Sequence, residues 1–372
     1  MQATEGFGGE ETGRAYSRAR ELCTELADAP EVFPVLHGVF LFHMLRGEIQ
    51  LGHDAATECL KRAQSQDDIT PLMFGHRTVG SALLHLGKFA DAGEHFREMR
   101  ELTESDHHDP SSSIYGIHPR AAAPAFWSLT LYASGYPSQA KGAALDALSH
   151  AQELGQPHNL CYALYWSNLT GIQLRDLEAV RERSERLQSL AHKQGYLQWA
   201  AFGTFQQGVA LAGLGDVETG IAKIRQGLTE YRVNGSVLYL PFMEALLAVA
   251  LAGTQHWDEA ITMMSDALAR AKETHEIWFE AELHRLQGEL LRHGAPRKAE
   301  FCFQQALDVA RGQGAKSWEL RTATSLARLY RDQGRHERAR ELLACVYQWF
   351  TEGFETPDLQ EAKGLLEELT VA

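Results

Sequence analysis

Eight chain reversals recur at a nearly fixed interval, and that regularity restricts the possible folds more than any other feature of the chain. Helix-like apolar patterns end on Gly47, Gly87, Gly135, Arg175, Gly215, Gln255, Gly294 and Gly334, at spacings of 40, 48, 40, 40, 40, 39 and 40 residues. A unit of two helices cannot bury its apolar faces alone. Such units must stack on their neighbours, so the chain grows by addition rather than around one centre.

The residue types fit that scheme. Glycine accepts the left-handed backbone that ends a helix and lets the chain reverse. Alanine follows the turn at Ala92, Ala140, Ala260, Ala299 and Ala339, where a small side chain permits close helix approach. Phe96, Met264, Phe303 and Leu343 then stand where a large apolar residue fills the space between hairpins. One copy is built on glycines: Gly208, Gly215, Gly220 and Gly227.

This order of small, large, turn, Ala, large and Ala matches the tetratricopeptide repeat (TPR) pattern, with a period of 40 residues in place of the usual 34. The extra six residues lengthen the helices or the connection between hairpins. The sequence therefore predicts an all-α, right-handed TPR-like α-α superhelix of about eight helix hairpins with a period near 40 residues. Residues 1–14 are read as a disordered N-terminal segment and 15–372 as one superhelical domain. Within that domain 104–120 is an inserted loop and 356–372 a C-terminal capping helix.

Repeats this long resemble the superhelical sensor domains of MalT-type bacterial regulators. A second resemblance rests on residues 314–330 (GAKSWELRTATSLARLY), 344–355 (ACVYQWFTEGFE) and 356–363 (TPDLQEAK), with residues 279–291 (FEAELHRLQGELL) and 18–23 (RARELC). These look like the C-terminal region of large bacterial adenylate/guanylate cyclases that carry an ATPase module and TPR repeats. The likeness runs over nearly the whole chain but covers only the TPR part. It implies a role in sensing, regulation or docking, in a fragment of such a protein or a stand-alone relative.

Composition excludes several functions. The formal net charge is −14 and no Lys/Arg cluster stands out, so neither nucleic acid nor an anionic membrane surface is an expected partner. The five cysteines (Cys23, Cys59, Cys161, Cys302 and Cys345) are isolated within apolar patterns and read as small core residues. No apolar h-region opens the chain and no run reaches membrane-spanning length, so a cytoplasmic location is expected. His107, His108, Asp109 and His118 share one polar loop without preset coordination geometry, so no metal site is read. Nucleophile-elbow and phosphate-loop motifs are lacking, so no catalytic residue and no cofactor is assigned.

If the first helix of each hairpin lines the concave face, its inward positions are Tyr162 and Tyr165, then Phe202 and Phe205, then Phe242. Trp166 lies close by with Trp127 and Trp199, and Gln206 adds polar capacity with Asn168, Gln173 and Gln207. Tyr115, in the Tyr115-Gly116 pair of the inserted loop, matches a loop feature of the related cyclases. Such aromatics serve either as core or as the wall of a ligand groove.

The expected function is a non-catalytic regulatory or sensor module that binds a protein segment, partner domain or small-molecule effector in its concave groove. One alternative is a passive oligomerisation scaffold, with homo-oligomers formed through Tyr347, Trp349, Phe350 and Phe354. Another is an enzyme whose site is assembled in the aromatic groove.

Overall fold

The computed structural model describes Arg18 and residues 32–65, 68–105, 116–233 and 235–371. Among the described residues there are seventeen helices and no strands. The first eight are α1 (Val32–Leu45), α2 (Ile49–Ala63), α3 (Ile69–His85), α4 (Phe89–Ser105), α5 (Pro119–Ala133), α6 (Pro137–Leu154), α7 (Pro157–Gln173) and α8 (Leu177–Gln194). There follow α9 (Leu197–Gly213), α10 (Val217–Val233), α11 (Leu240–Gly253), α12 (Trp257–Thr274), α13 (Glu280–Leu291), α14 (Pro296–Gln313), α15 (Lys316–Asp332), α16 (His336–Tyr347) and α17 (Pro357–Val371). Odd-numbered helices from α1 to α15 open the eight hairpins, even-numbered helices close them, and α17 packs on the last pair. The chain is an all-α, right-handed TPR-like solenoid.

Seven of the eight anticipated turns hold a left-handed residue. Gly47, Gly87, Gly135, Gly215 and Gly334 have φ of 74°, 67°, 95°, 105° and 74°. Arg175 and Gln255 take the same conformation at 59° and 65° despite their side chains. Gly294 does not; α13 stops at Leu291, and Ala295 N–H closes the turn on the Leu291 carbonyl at 2.8 Å. A second left-handed series, Gly155, Gly195, Gly235, His275 and Gly314, follows the outer helices α6, α8, α10, α12 and α14.

Gln255 is exposed, so its strained backbone can be tested cleanly. A left-handed residue with a Cβ costs about 1–2 kcal/mol, against roughly 0.5–1 kcal/mol for the greater unfolded-state freedom of glycine. Gln255→Gly should therefore raise stability by about 0.5 kcal/mol, read as a higher urea midpoint. A lower midpoint would show that the Gln255 side chain stabilises the turn by more than the strain it carries.

The extra residues of the long period lie in the helices: α6 to α10 each run 17 or 18 residues. Ala92, Ala140, Ala260, Ala299 and Ala339 are fully buried, as are Phe96, Met264, Phe303 and Leu343. Proline opens α5, α6, α7, α14 and α17, where its missing N–H is not needed. Pro124 is the exception, inside α5. It leaves the Arg120 carbonyl without its helical donor, and His150 Nδ1 supplies one at 2.9 Å.

The stack also winds back on itself. The Leu45 carbonyl, at the end of α1, accepts from Val237 N–H at 2.6 Å, just before α11. The His85 carbonyl, at the end of α3, accepts from Ile277 and Trp278 N–H at 2.9 and 3.1 Å, just before α13. The Tyr132 carbonyl of α5 accepts from Ser317 Oγ of α15 at 2.5 Å. After α7, Arg175 pairs with Glu361 of α17 at 2.5 Å. Each of the first four opening helices thus docks on the element five hairpins later, along a continuous seam. Glu352 adds a cross-turn cap, its carboxylate accepting from the first free amides of α6, Ser138 and Gln139, at 3.0 and 3.1 Å.

Candidate functional site

Winding by five hairpins brings the concave face of the early repeats against that of the late ones, and aromatic side chains fill the space. Tyr162, Tyr165, Trp166, Phe202, Phe205, Gln206 and Phe242 are all buried, with exposures from 1 to 7%. Their rings contact one another: Tyr165 lies 4.3 Å from Phe202, and Phe205 lies 6.0 Å from Phe242. Trp166 packs on Phe126 at 4.2 Å, and Tyr162 stands edge-on to the same ring at 5.9 Å. The ladder continues through Tyr239, Trp278 and Trp318 and returns to Phe89 in the second hairpin at 5.2 Å.

Gln206 bridges α7 and α9, donating to the Tyr165 carbonyl and accepting from Asn168 Nδ2, each at 3.0 Å. In this closed form the seven residues therefore sit together as packed interior and present no open groove wall. Tyr115 lies outside the described residues, as do His107, His108 and Asp109. His118 is buried and caps α5, its Nδ1 accepting from Arg120 N–H at 3.2 Å. No group of three or more potential metal ligands occurs among the described residues.

Of the aromatics named for self-association, Tyr347 is half-buried, whereas Trp349 and Phe354 are 38 and 48% exposed. Phe350 is buried, and Trp349 packs on Tyr136 at 5.7 Å with Lys316 over its ring.

The concave side does open at the charged end of the seam, into a cavity of about 390 Å³ among α7, α11, α13, α15 and α17. Ile172, Leu246, Val249 and Leu286 form its apolar lining. Arg175, Arg285, Arg321 and Arg328 face Glu282, Asp358 and Glu361 across the remainder. Arg321 is central, reaching the Gln173 carbonyl, Asp358 at 2.8 Å, Glu282 at 3.3 Å and the Tyr132 ring. Arg285 grips Glu282 with two nitrogens, at 2.7 and 2.9 Å. Burial works against the Glu282 carboxylate, but the Arg285 and Arg321 guanidiniums outweigh it and hold its pKa below the usual range. The outer pairs are wetter: Arg175 is 45% exposed and Arg328 32%, and both bind Glu361.

Deeper in the seam, Glu276 accepts from Tyr239 N–H at 3.0 Å and from Trp278 Nε1 at 2.9 Å. Burial pushes its pKa up to about 8, with the Glu244 charge adding to the shift and these two donors opposing it. The folded chain therefore keeps a proton that the unfolded chain releases near pH 4.5. The associated stability is complete below about pH 4.5 and is lost as pH rises towards 8, by at most about 1.4 kcal/mol per pH unit. Glu276→Gln, which cannot ionise, should remove this fall. The test is the difference between wild-type and variant melting temperatures from pH 5 to 8.5; a constant difference would rule Glu276 out as its source.

The sequence reading missed the charged cavity. A signal was present, because Glu282 and Arg285, Arg321 and Arg328, and Asp358 and Glu361 each share one helical face at i,i+3 or i,i+7 spacing. All six also lie in segments that carry the cyclase-region resemblance.

The tetratricopeptide repeat family model matches residues 320–344. An uncharacterized protein of Rhizobium meliloti (strain 1021) is 21% identical over 331 residues, covering 88% of this chain and 32% of that protein. The chain thus spans about a third of the length of this curated relative. Among solved structures, a Rap protein complexed with competence and sporulation factor superposes with a TM-score of 0.64 at 11% identity. The match covers 98% of this chain and 95% of that one. The Rap conjugation gene regulator of plasmid pLS20, in complex with the Phr* peptide, gives 0.56 at 9% identity over 91% and 96% of the two chains. NprR in complex with its cognate peptide NprX gives 0.51 at 14% identity over 80% and 82%. At these identities the likeness establishes the fold. No described helix is long and apolar enough to cross a membrane.

Proposed function

We propose that the chain is a non-catalytic binding module that takes a peptide or a segment of a partner protein on its concave side, as the sensing part of a larger regulator. The observation that carries this reading is the cavity bounded by concave helices of both superhelical turns, with an apolar lining and a charged rim. A segment lodged there touches repeats five hairpins apart, so its binding free energy bears directly on how the turns are held together. Two solved structures of similar fold that hold peptides support the reading. The resemblance to cyclase-associated TPR regions, and the greater length of the rhizobial relative, support a place beside an output module.

On this proposal Tyr162, Tyr165, Trp166, Phe202, Phe205, Gln206 and Phe242 are the wall that a ligand reaches when the turns part. The proposal extends to Tyr115 through its neighbour in sequence, Gly116, whose carbonyl accepts from His158, a ring 5.9 Å from Trp199. The test is selection of the full chain against a displayed random-peptide library, followed by titration of the enriched peptides. Enriched peptides should compete with one another and change the tryptophan emission. Failure to enrich any peptide over a display control, with correctly folded protein, would contradict a peptide-binding role.

A further inference from the structure

We infer that the charged cavity receives a carboxylate set beside an apolar group, and that this carboxylate takes over Arg175 and Arg328 from Glu361. This deepens the reading above and rests on it. Four guanidiniums line the cavity against three carboxylates, so its walls carry one positive charge in excess. The two inner arginines are committed: Arg285 and Arg321 are 16 and 12% exposed and are locked on Glu282 and Asp358. The two outer ones differ. Arg175 and Arg328 converge on the single carboxylate of Glu361 at 2.5 and 3.0 Å, within reach of solvent. A carboxylate arriving from solvent meets two guanidiniums already aimed at one point, so their ordering is complete before it binds. Ile172, Leu246, Val249 and Leu286 provide apolar surface for the neighbouring group of the ligand.

The exchange has a mechanical consequence. Glu361 belongs to α17 and Arg175 follows α7, so their pairing is the outermost rung of the seam. A ligand that replaces Glu361 fills the arginine pair and removes this rung in one event, leaving Asp358, on Tyr132 at 3.2 Å and Arg175 at 3.6 Å, to hold α17 to the earlier turn. Glu361 is thus a built-in competitor occupying the ligand's place.

The experiment takes peptides enriched by the full chain from a random heptapeptide library displayed with free C-termini. Each is titrated as free acid, as C-terminal amide, and with Asp and Glu replaced by Asn and Gln. One of the two neutralised forms should bind about tenfold more weakly, and which one shows whether the carboxylate is terminal or a side chain. Arg175→Gln and Arg328→Gln should lose a similar factor with little change in melting, since part-exposed pairs contribute little to stability. Glu361→Gln should bind the same peptides about three- to tenfold more tightly, because the internal competitor is gone. Peptide binding to wild type should also speed amide exchange across residues 357–371. Equal binding by both neutralised forms, or weaker binding by Glu361→Gln, would overturn the inference and leave the peptide-binding reading standing. Enrichment of no peptide would end both.

Discussion

Phe205→Ala should cost the protein about 3–5 kcal/mol of stability, the range for truncating a fully buried phenylalanine. Phe205 is 1% exposed, edge-on to Phe242, and packed where α9 meets α10 and α11. Truncation leaves a cavity that rigid helices can only partly collapse. A ring lining an open groove would cost almost nothing to remove. Urea unfolding followed by far-UV circular dichroism separates the cases, and a midpoint within experimental error of wild type would show that the concave interior is open in solution.

The second large effect is expected at Gly227, where a glycine permits close helix contact. A Cβ added there would lie 2.6 Å from the backbone nitrogen of Phe205 and 2.8 Å from its Cα. Backbone cannot move aside as a side-chain tip can, so α9 and α10 must separate. Gly227→Ala should therefore lose about 2–3 kcal/mol, despite the gain of roughly 0.5–1 kcal/mol that alanine brings to a helix interior. Gly142, in α6, provides the control, since a Cβ there meets nothing within 4 Å. Gly142→Ala should stabilise by the propensity gain alone. Opposite signs at the two positions would confirm the close approach; stabilisation at both would refute it.

Local features of the fold were legible in the sequence because local physics sets them. The turns announce themselves through glycine, and even Arg175 and Gln255 could be placed, because period outweighs residue type. The small and large positions within hairpins follow from helical spacing, and Ala92 and Phe96 are fully buried where that spacing puts them. The winding register was not legible. It depends on small rotations accumulated over five hairpins, and no local pattern encodes their sum. Without the register, Tyr165 or Phe202 could equally be read as groove wall or as core, and Arg321 could not be matched to Gln173 and Tyr132 of the earlier turn. Glu276 was missed for a different reason: it lies between α12 and α13, outside any helical pattern, and its partner Tyr239 precedes α11, one hairpin earlier.

The closure of the first turn on the second is therefore the claim on which the rest depends, and disulfide trapping tests it most directly. Gly47 and Thr274 are 227 residues apart in sequence, yet a Cβ added at Gly47 would lie 3.3 Å from the Thr274 Cβ, close to the separation that a disulfide spans. With Cys23 and the exposed Cys345 replaced by Ser, the full chain carrying Gly47→Cys and Thr274→Cys should oxidise under mild conditions to an intramolecular disulfide. Mass spectrometry should show the linked peptides in nearly all molecules at low protein concentration. Persistence of free thiols, or cross-linking only between chains, would mean that the turns stand apart and that neither the aromatic interior nor the charged cavity exists as described.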